Sequence, residues 1–218
     1  MIEAHNSAKT SLKNSSRNRA HAVIYVPGLG DSRVAGQQMA VDLWRLQGVE
    51  PYLFQMNWSN GEAFAPKMTR LLKLIDGLTS EGKIVSLVGA SAGGSVVMNA
   101  LALRRNTLNG VACICGKISN KHNVHPLTYQ RNVAFHHSMH GLDDALPELT
   151  DKDMSRVLSL HPIVDNVVPI PDTKLAGAHI GTMPTFGHFL GIAYGLTLGS
   201  FRIMRFLKKI DRSTVGGA

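Results

Sequence analysis

Gly89-Ala90-Ser91-Ala92-Gly93 follows the apolar run Ile84-Val85-Ser86-Leu87-Val88 and leads into Gly94-Ser95-Val96-Val97-Met98. The first run has the composition of a buried strand and the last that of a helix. A G-x-S-x-G pentad at such a junction is a nucleophile elbow. The chain turns so sharply there that its serine hydroxyl clears the sheet edge. Glycines flank it because side chains would strike the neighbouring strand and helix. Amide N–H groups in the first turn of the new helix have no partner within it, so they are available to an oxyanion.

Outward from this pentad, strand-like and helix-like segments alternate. Strands are predicted at 22–27, 51–57, 83–89, 110–116, 156–162 and 177–183, most of them apolar runs without polar alternation. Helical patterns are predicted at 33–47, 62–79, 92–106 and 188–210. Continuous apolar strands separated by helices imply a doubly wound α/β fold with a mostly parallel sheet and helices on both faces. No internal repeat or second domain is visible, so residues 22–218 read as one domain behind a flexible polar tail, 1–21.

Residues 117–155 break the alternation. They hold His122, His125, His136, His137 and His140, a helical stretch over 127–140, and the acidic run Asp143-Asp144-Ala145-Leu146-Pro147-Glu148. An insert between two strands of such a sheet is expected above its carboxyl edge as a small cap. No metal is expected at these histidines, and no cofactor anywhere in the chain.

A serine needs a base to take its proton and a carboxylate to orient that base. In folds with this elbow the acid and then the histidine follow the serine along the chain. Asp165 comes just past the strand Arg156-Val157-Leu158-Ser159-Leu160-His161. His188 stands in Pro184-Thr185-Phe186-Gly187-His188, entering the last helix. Ser91, Asp165 and His188 are therefore the expected catalytic set. Asp143, Asp144, Asp151 and Asp153 belong to the insert, Asp172 follows Pro171 as a turn or cap residue, and His161 and His179 read as packed strand residues.

An oxyanion hole needs two N–H donors aimed at the developing charge. Ala92, directly after the serine, supplies one. The loop Pro27-Gly28-Leu29-Gly30-Asp31-Ser32 supplies the other, with Leu29 N–H favoured and Gly30 next. Asp31 or Ser32 is also placed to cap the following helix. Gly30, Met139 and Val167 are the candidates for lining a substrate pocket.

Taken together, the Pro-Gly-Leu-Gly-Asp-Ser loop, the pentad, Asp165-Asn166-Val167-Val168-Pro169 and Gly187-His188 resemble the α/β-hydrolase family over residues 22–210. The resemblance implies a serine hydrolase in which Ser91 attacks, His188 acts as base and then acid, and Asp165 orients it. Esterases, lipases, thioesterases, peptidases and amidases all share these features. Two departures stand out. The family's usual His-Gly in the oxyanion loop is Pro27-Gly28 here, which implies a different packing of that loop. The polar N-terminus cannot supply the family's first two strands, so about six are expected, all parallel.

Across 218 residues, 44% are apolar and the formal charge is +8. Residues 1–21 contribute +3 and residues 202–212 contribute +4, leaving 14 basic and 13 acidic side chains between them. Charge gathered at two ends is not the footprint of a nucleic-acid groove. The first twenty residues lack the apolar core of a secretory signal. Cys113 and Cys115, two apart on one face of a strand, are read as free thiols of a cytoplasmic protein.

Leu175 to Phe201 contains no charged side chain, and Gly187, Gly191, Gly195 and Gly199 recur every fourth residue, a pattern shared with packed transmembrane helices. The uninterrupted helical part is only about 14 residues, or roughly 21 Å, against the ~30 Å of a bilayer core. A helix pressed closely on the sheet is expected instead, with membrane contact at most peripheral. The sequence thus reads as a hydrolase of a small or medium carboxylic ester or thioester, acting through an acyl-enzyme. The alternative is a non-catalytic relative that binds a small molecule or a partner. Oligomeric state has no sequence signature here.

Overall fold

The computed structural model describes residues 19–32 and 34–210. Most of the polar tail, residues 1–18, lies outside them, as do Arg33 and residues 211–218.

Six strands form one sheet in the order β2-β1-β3-β4-β5-β6: β1 (His21–Val26), β2 (Glu50–Leu53), β3 (Ile84–Ala90), β4 (Gly110–Ile114), β5 (Val157–Val164) and β6 (His179–Phe186). Every neighbouring pair is parallel, as expected without two further strands. The four inner strands are almost wholly buried. β6 alternates because it is an edge strand, with only Gly181 and Met183 buried.

Helices α1 (Ala35–Asp42), α2 (Phe64–Ser80), α3 (Gly93–Leu103), α4 (Pro126–Arg131), α5 (Val133–Ala145), α6 (Asp151–Met154), α7 (His188–Leu196) and α8 (Ser200–Lys209) complete the fold. Two cores result. On one face, Ala22, Ile24, Val85, Leu87 and Val111 meet α2, α3 and α5. On the other, Val23, Tyr25, Val88, Ala112 and Ile114 meet Trp44, α7 and α8. This is the predicted double winding, read directly from the period-two alternation of the strands.

Three expectations need correction. The main helix of residues 117–155 packs into the core rather than standing apart as a cap. Ala134, Phe135, Ser138, Met139 and Leu142 of α5 are buried beside α3, where Ser138 bonds Ser95 and Asn99. An apolar stripe of that width can be buried only against another element, so the segment fills out a helical layer. It is pinned at its start by a buried ion pair, Lys117 Nζ to Asp172 Oδ2 at 2.6 Å, which gives Asp172 a tie to the insert rather than a cap.

The helix expected over 188–210 is two helices. Thr197 leaves helical geometry at φ −104°, ψ −99°, and the released Leu196 carbonyl accepts the Trp44 indole N–H at 2.9 Å. Gly191 and Gly195 let α7 lie against Cys115, Pro162 and Ile114. Its glycines therefore serve helix–sheet contact, and among the described residues no helix is long and apolar enough to cross a membrane.

The two cysteines do not share a face. Cys113 belongs to the core under α3, whereas Cys115 joins the core under α7. Cys115 lies just past β4 with φ 50°, a left-handed turn that reverses the direction expected from strand alternation.

Candidate active site

β1 and β3 lie side by side, yet the chain leaves them in opposite directions across the sheet, β1 toward β2 and β3 toward β4. Loops diverge at such a switch point and open a crevice at the carboxyl ends. Gly28 and Leu29 follow β1, and Ser91 follows β3.

Ser91 has φ 51°, a conformation that non-glycine residues seldom adopt and that must be imposed by their surroundings. The restraints are visible. Its N–H donates to the Ile114 carbonyl at 3.0 Å, and its carbonyl accepts from Lys117 N–H at 3.0 Å and Gly94 N–H at 2.9 Å. The flanking glycines answer to contact: a Cβ on Gly89 would stand 2.4 Å from the Gly93 carbonyl oxygen, and one on Gly93 would stand 2.2 Å from that of Val26. Ala92 caps the N-terminus of α3.

Asp165 and His188 reach this elbow from the loops after β5 and β6. His188 Nε2 lies 2.9 Å from Ser91 Oγ, and Nδ1 lies 2.9 and 3.1 Å from the two Asp165 oxygens. The Asp165 side chain is fully buried, and Oδ1 also accepts from the Val167 and Val168 amides, both at 2.9 Å. His188 is buried at the start of α7. The three side chains expected to work together thus meet in a continuous hydrogen-bonded chain.

Asn166 is a residue that sequence reading did not single out. Its Oδ1 accepts His188 N–H at 3.2 Å, and Gly187 N–H donates to Val164 O at 2.7 Å, so the loop fixes where α7 begins. Its position next to Asp165 was the available signal. Cys115 was read only as a thiol. It lies behind the ring, its Sγ–H donating to the His188 carbonyl at 3.8 Å. Cys115, Asp165 and His188 are close enough to share an ion. Burial, and to a lesser degree the Asp165 charge, push the Cys115 thiol well up, while Asp165 and His188 Nδ1 are occupied with each other. A neutral thiol is a poor metal ligand.

A cavity of about 460 Å³ opens beside Ser91 between α1 and α7, walled by Leu29, Ala40, Val167, Phe189, Ile192 and Leu196 and floored by Tyr25. Tyr25 donates its hydroxyl to Gln37 Oε1 at 2.6 Å, which leaves the floor largely apolar. Val167, a candidate pocket residue, lines this cavity. Gly30 does not: it turns away at φ 84°. Met139 does not either, because it is fully buried in the layer of α5.

The β1 loop is braced from beneath. Asp31 accepts from Asn57 N–H at 2.6 Å and Trp58 N–H at 3.3 Å, and the Trp58 indole donates to the Pro27 carbonyl at 3.2 Å. Asp31 therefore ties two loops together, and α1 begins after Val34 with no side-chain cap, contrary to the capping role expected of Asp31 or Ser32. Lys67, fully buried, donates to the carbonyls of Met56 and Asn57 and to Asn60 Oδ1, completing the support.

No family model matches this sequence, and no curated protein matches it. Solved structures share the fold. A monoacylglycerol lipase from Paleococcus ferrophilus is 12% identical with a TM-score of 0.59, over 88% of this chain and 97% of its own. A lipolytic enzyme of the metagenome-derived LipS and LipT pair is 11% identical with a TM-score of 0.62, over 88% and 94%. The α/β-hydrolase enzyme MGS-MChE2, from the metagenome of lagoon sediments at Mar Chica, Morocco, is 14% identical with a TM-score of 0.57, over 86% and 93%. The chain has the α/β-hydrolase fold. At these identities the likeness concerns the arrangement of the chain, so its chemistry has to be argued from its own residues.

Proposed function

We propose that this protein is a serine hydrolase that cleaves a carboxylic ester or thioester of small to medium size. The Asp165–His188–Ser91 hydrogen-bonded chain carries this reading. His188 Nε2 accepts the Ser91 proton as Oγ attacks the carbonyl carbon. Asp165 holds the ring in the tautomer with hydrogen on Nδ1 and stabilises the imidazolium that forms. The N–H groups of Leu29 and Ala92 take the oxyanion. Collapse expels the alcohol or thiol with the proton returned by His188, leaving an acyl-Ser91 ester. Water, deprotonated by the same ring, then releases the acid. The apolar cavity under Leu29 and Ile192 takes the acyl chain.

The known activities of the lipolytic proteins sharing the fold agree with this chemistry. A cytoplasmic location and a small-molecule substrate complete the proposal. A fluorophosphonate probe is expected to label Ser91, and Ser91→Ala to lower hydrolysis of an activated ester by on the order of 10³-fold or more. Absence of labelling in a folded sample would instead favour a non-catalytic binding protein. Near-normal turnover in Ser91→Ala would refute the nucleophile.

A further inference from the structure

On the side of α5 away from its buried stripe, His136 and His140 stand one turn apart. Their Nε2 atoms are 3.0 Å from each other, with ring planes crossing at 74°. Two imidazole nitrogens in adjacent positions on one ion, with metal–nitrogen bonds of about 2.0–2.1 Å, are about 2.9–3.4 Å apart for octahedral to tetrahedral angles. The pair already has that span.

The helix and the His136 ring are also held in place. Phe135, Ser138, Met139 and Leu142 anchor the opposite face of α5 in the core. Tyr129 of α4 packs on the His136 ring with centroids 4.6 Å apart. Both histidines open onto a hollow of about 480 Å³, walled by Tyr129, Val124 and His122. Lys121, the cation on its rim, is paired with Asp143 at 3.1 Å, so its charge is offset locally.

We propose that His136 and His140 chelate one divalent transition-metal ion of the zinc, nickel and copper class, for which neutral imidazole is a fitting ligand. The two Nε2 atoms supply the protein ligands and water fills the remaining positions. As the ion enters, the ring that donates through Nε2 gives that proton to solvent and takes one on Nδ1, so both ligands bind as neutral imidazoles with no net proton release. The site is separate from Ser91 and independent of the hydrolase reading, because it contributes no residue to the reacting cavity.

The test uses the tag-free full-length chain, stripped with chelator and titrated with zinc chloride and, separately, nickel chloride by calorimetry near pH 7.5. One saturable equivalent is expected. His136→Ala and His140→Ala should each weaken it at least ~10-fold, while His137→Ala, one position from the pair, should leave it unchanged. Zinc should raise the thermal midpoint of the parent chain and not that of either single variant. Binding that persists in both single variants, binding lost in His137→Ala, or no saturable binding would overturn the assignment.

Discussion

Gly28 and Ser91 face each other across the ends of β1 and β3 with no space for a methyl group. A Cβ at position 28 would stand 2.7 Å from Ser91 Cβ and 3.3 Å from Oγ. Gly28→Ala should therefore displace the serine or its loop while leaving the two cores alone. A displacement of about 1 Å at a reacting atom is worth on the order of 10²-fold in rate. We expect kcat on an activated ester to fall by about that factor, with a thermal midpoint within a few degrees of the parent. An unchanged kcat would mean that the loop yields freely.

Gly36 of α1 lines the apolar cavity, and a Cβ there meets nothing within 4 Å. Gly36→Leu should project into the space assigned to the acyl chain without disturbing the fold. Across a series of nitrophenyl esters, the preferred acyl length should shorten, chiefly through KM for the longer members. If the chain-length profile does not move, the acyl group lies elsewhere.

Lys67→Met would keep the volume of the buried stem and remove three hydrogen bonds, those to Met56 O, Asn57 O and Asn60 Oδ1. The Met56 carbonyl is buried and, left without a donor, costs about 1–3 kcal/mol, whereas Asn57 and Asn60 are exposed and turn to water. A loss of roughly 1–3 kcal/mol is expected from urea unfolding. Activity should fall as well, because the loop that braces Asp31 loses its own support. Full stability in this variant would show that water replaces the ammonium at no cost.

Alkaline pH provides a fourth check. Burial pushes the Cys113 thiol up to about 12 from 9.0, and burial likewise raises Cys115 and Tyr25. Between those values the unfolded chain has released the Cys113 proton while the folded chain retains it. The folded state then binds more protons, so stability falls as pH rises above about 9. The slope approaches ~1.4 kcal/mol per pH unit for each such group. The urea midpoint should drop between pH 8 and pH 10.5, and less steeply in Cys113→Ala, although that variant starts lower. A flat profile would contradict burial of these groups.

Period and punctuation in the sequence were enough to locate all six strands, the elbow at Ser91, and the loops carrying Asp165 and His188. Those signals are local, and the parallel order follows from them by general rules of handedness and connection. What sequence reading missed depends on tertiary contact. Whether α5 lies over the site or beside α3 turns on which surface its stripe finds, and the stripe alone is silent about that. The break at Thr197 rests on Trp44 meeting the released Leu196 carbonyl, 152 positions along the chain. The role of Asn166 needed the start of α7 to be fixed in space. The His136/His140 spacing was different, being present in the sequence as an i, i+4 pair on a helical stretch and passed over there.

The left-handed residue that ends β4 also bears on the redox life of the chain. Because it sends Cys115 to the opposite side of the sheet from Cys113, a continuous hydrogen-bonded wall separates the two sulfurs. No oxidant could join them without tearing the central strands apart. The absence of a bond between them is thus imposed by geometry, whatever the chemistry of the compartment.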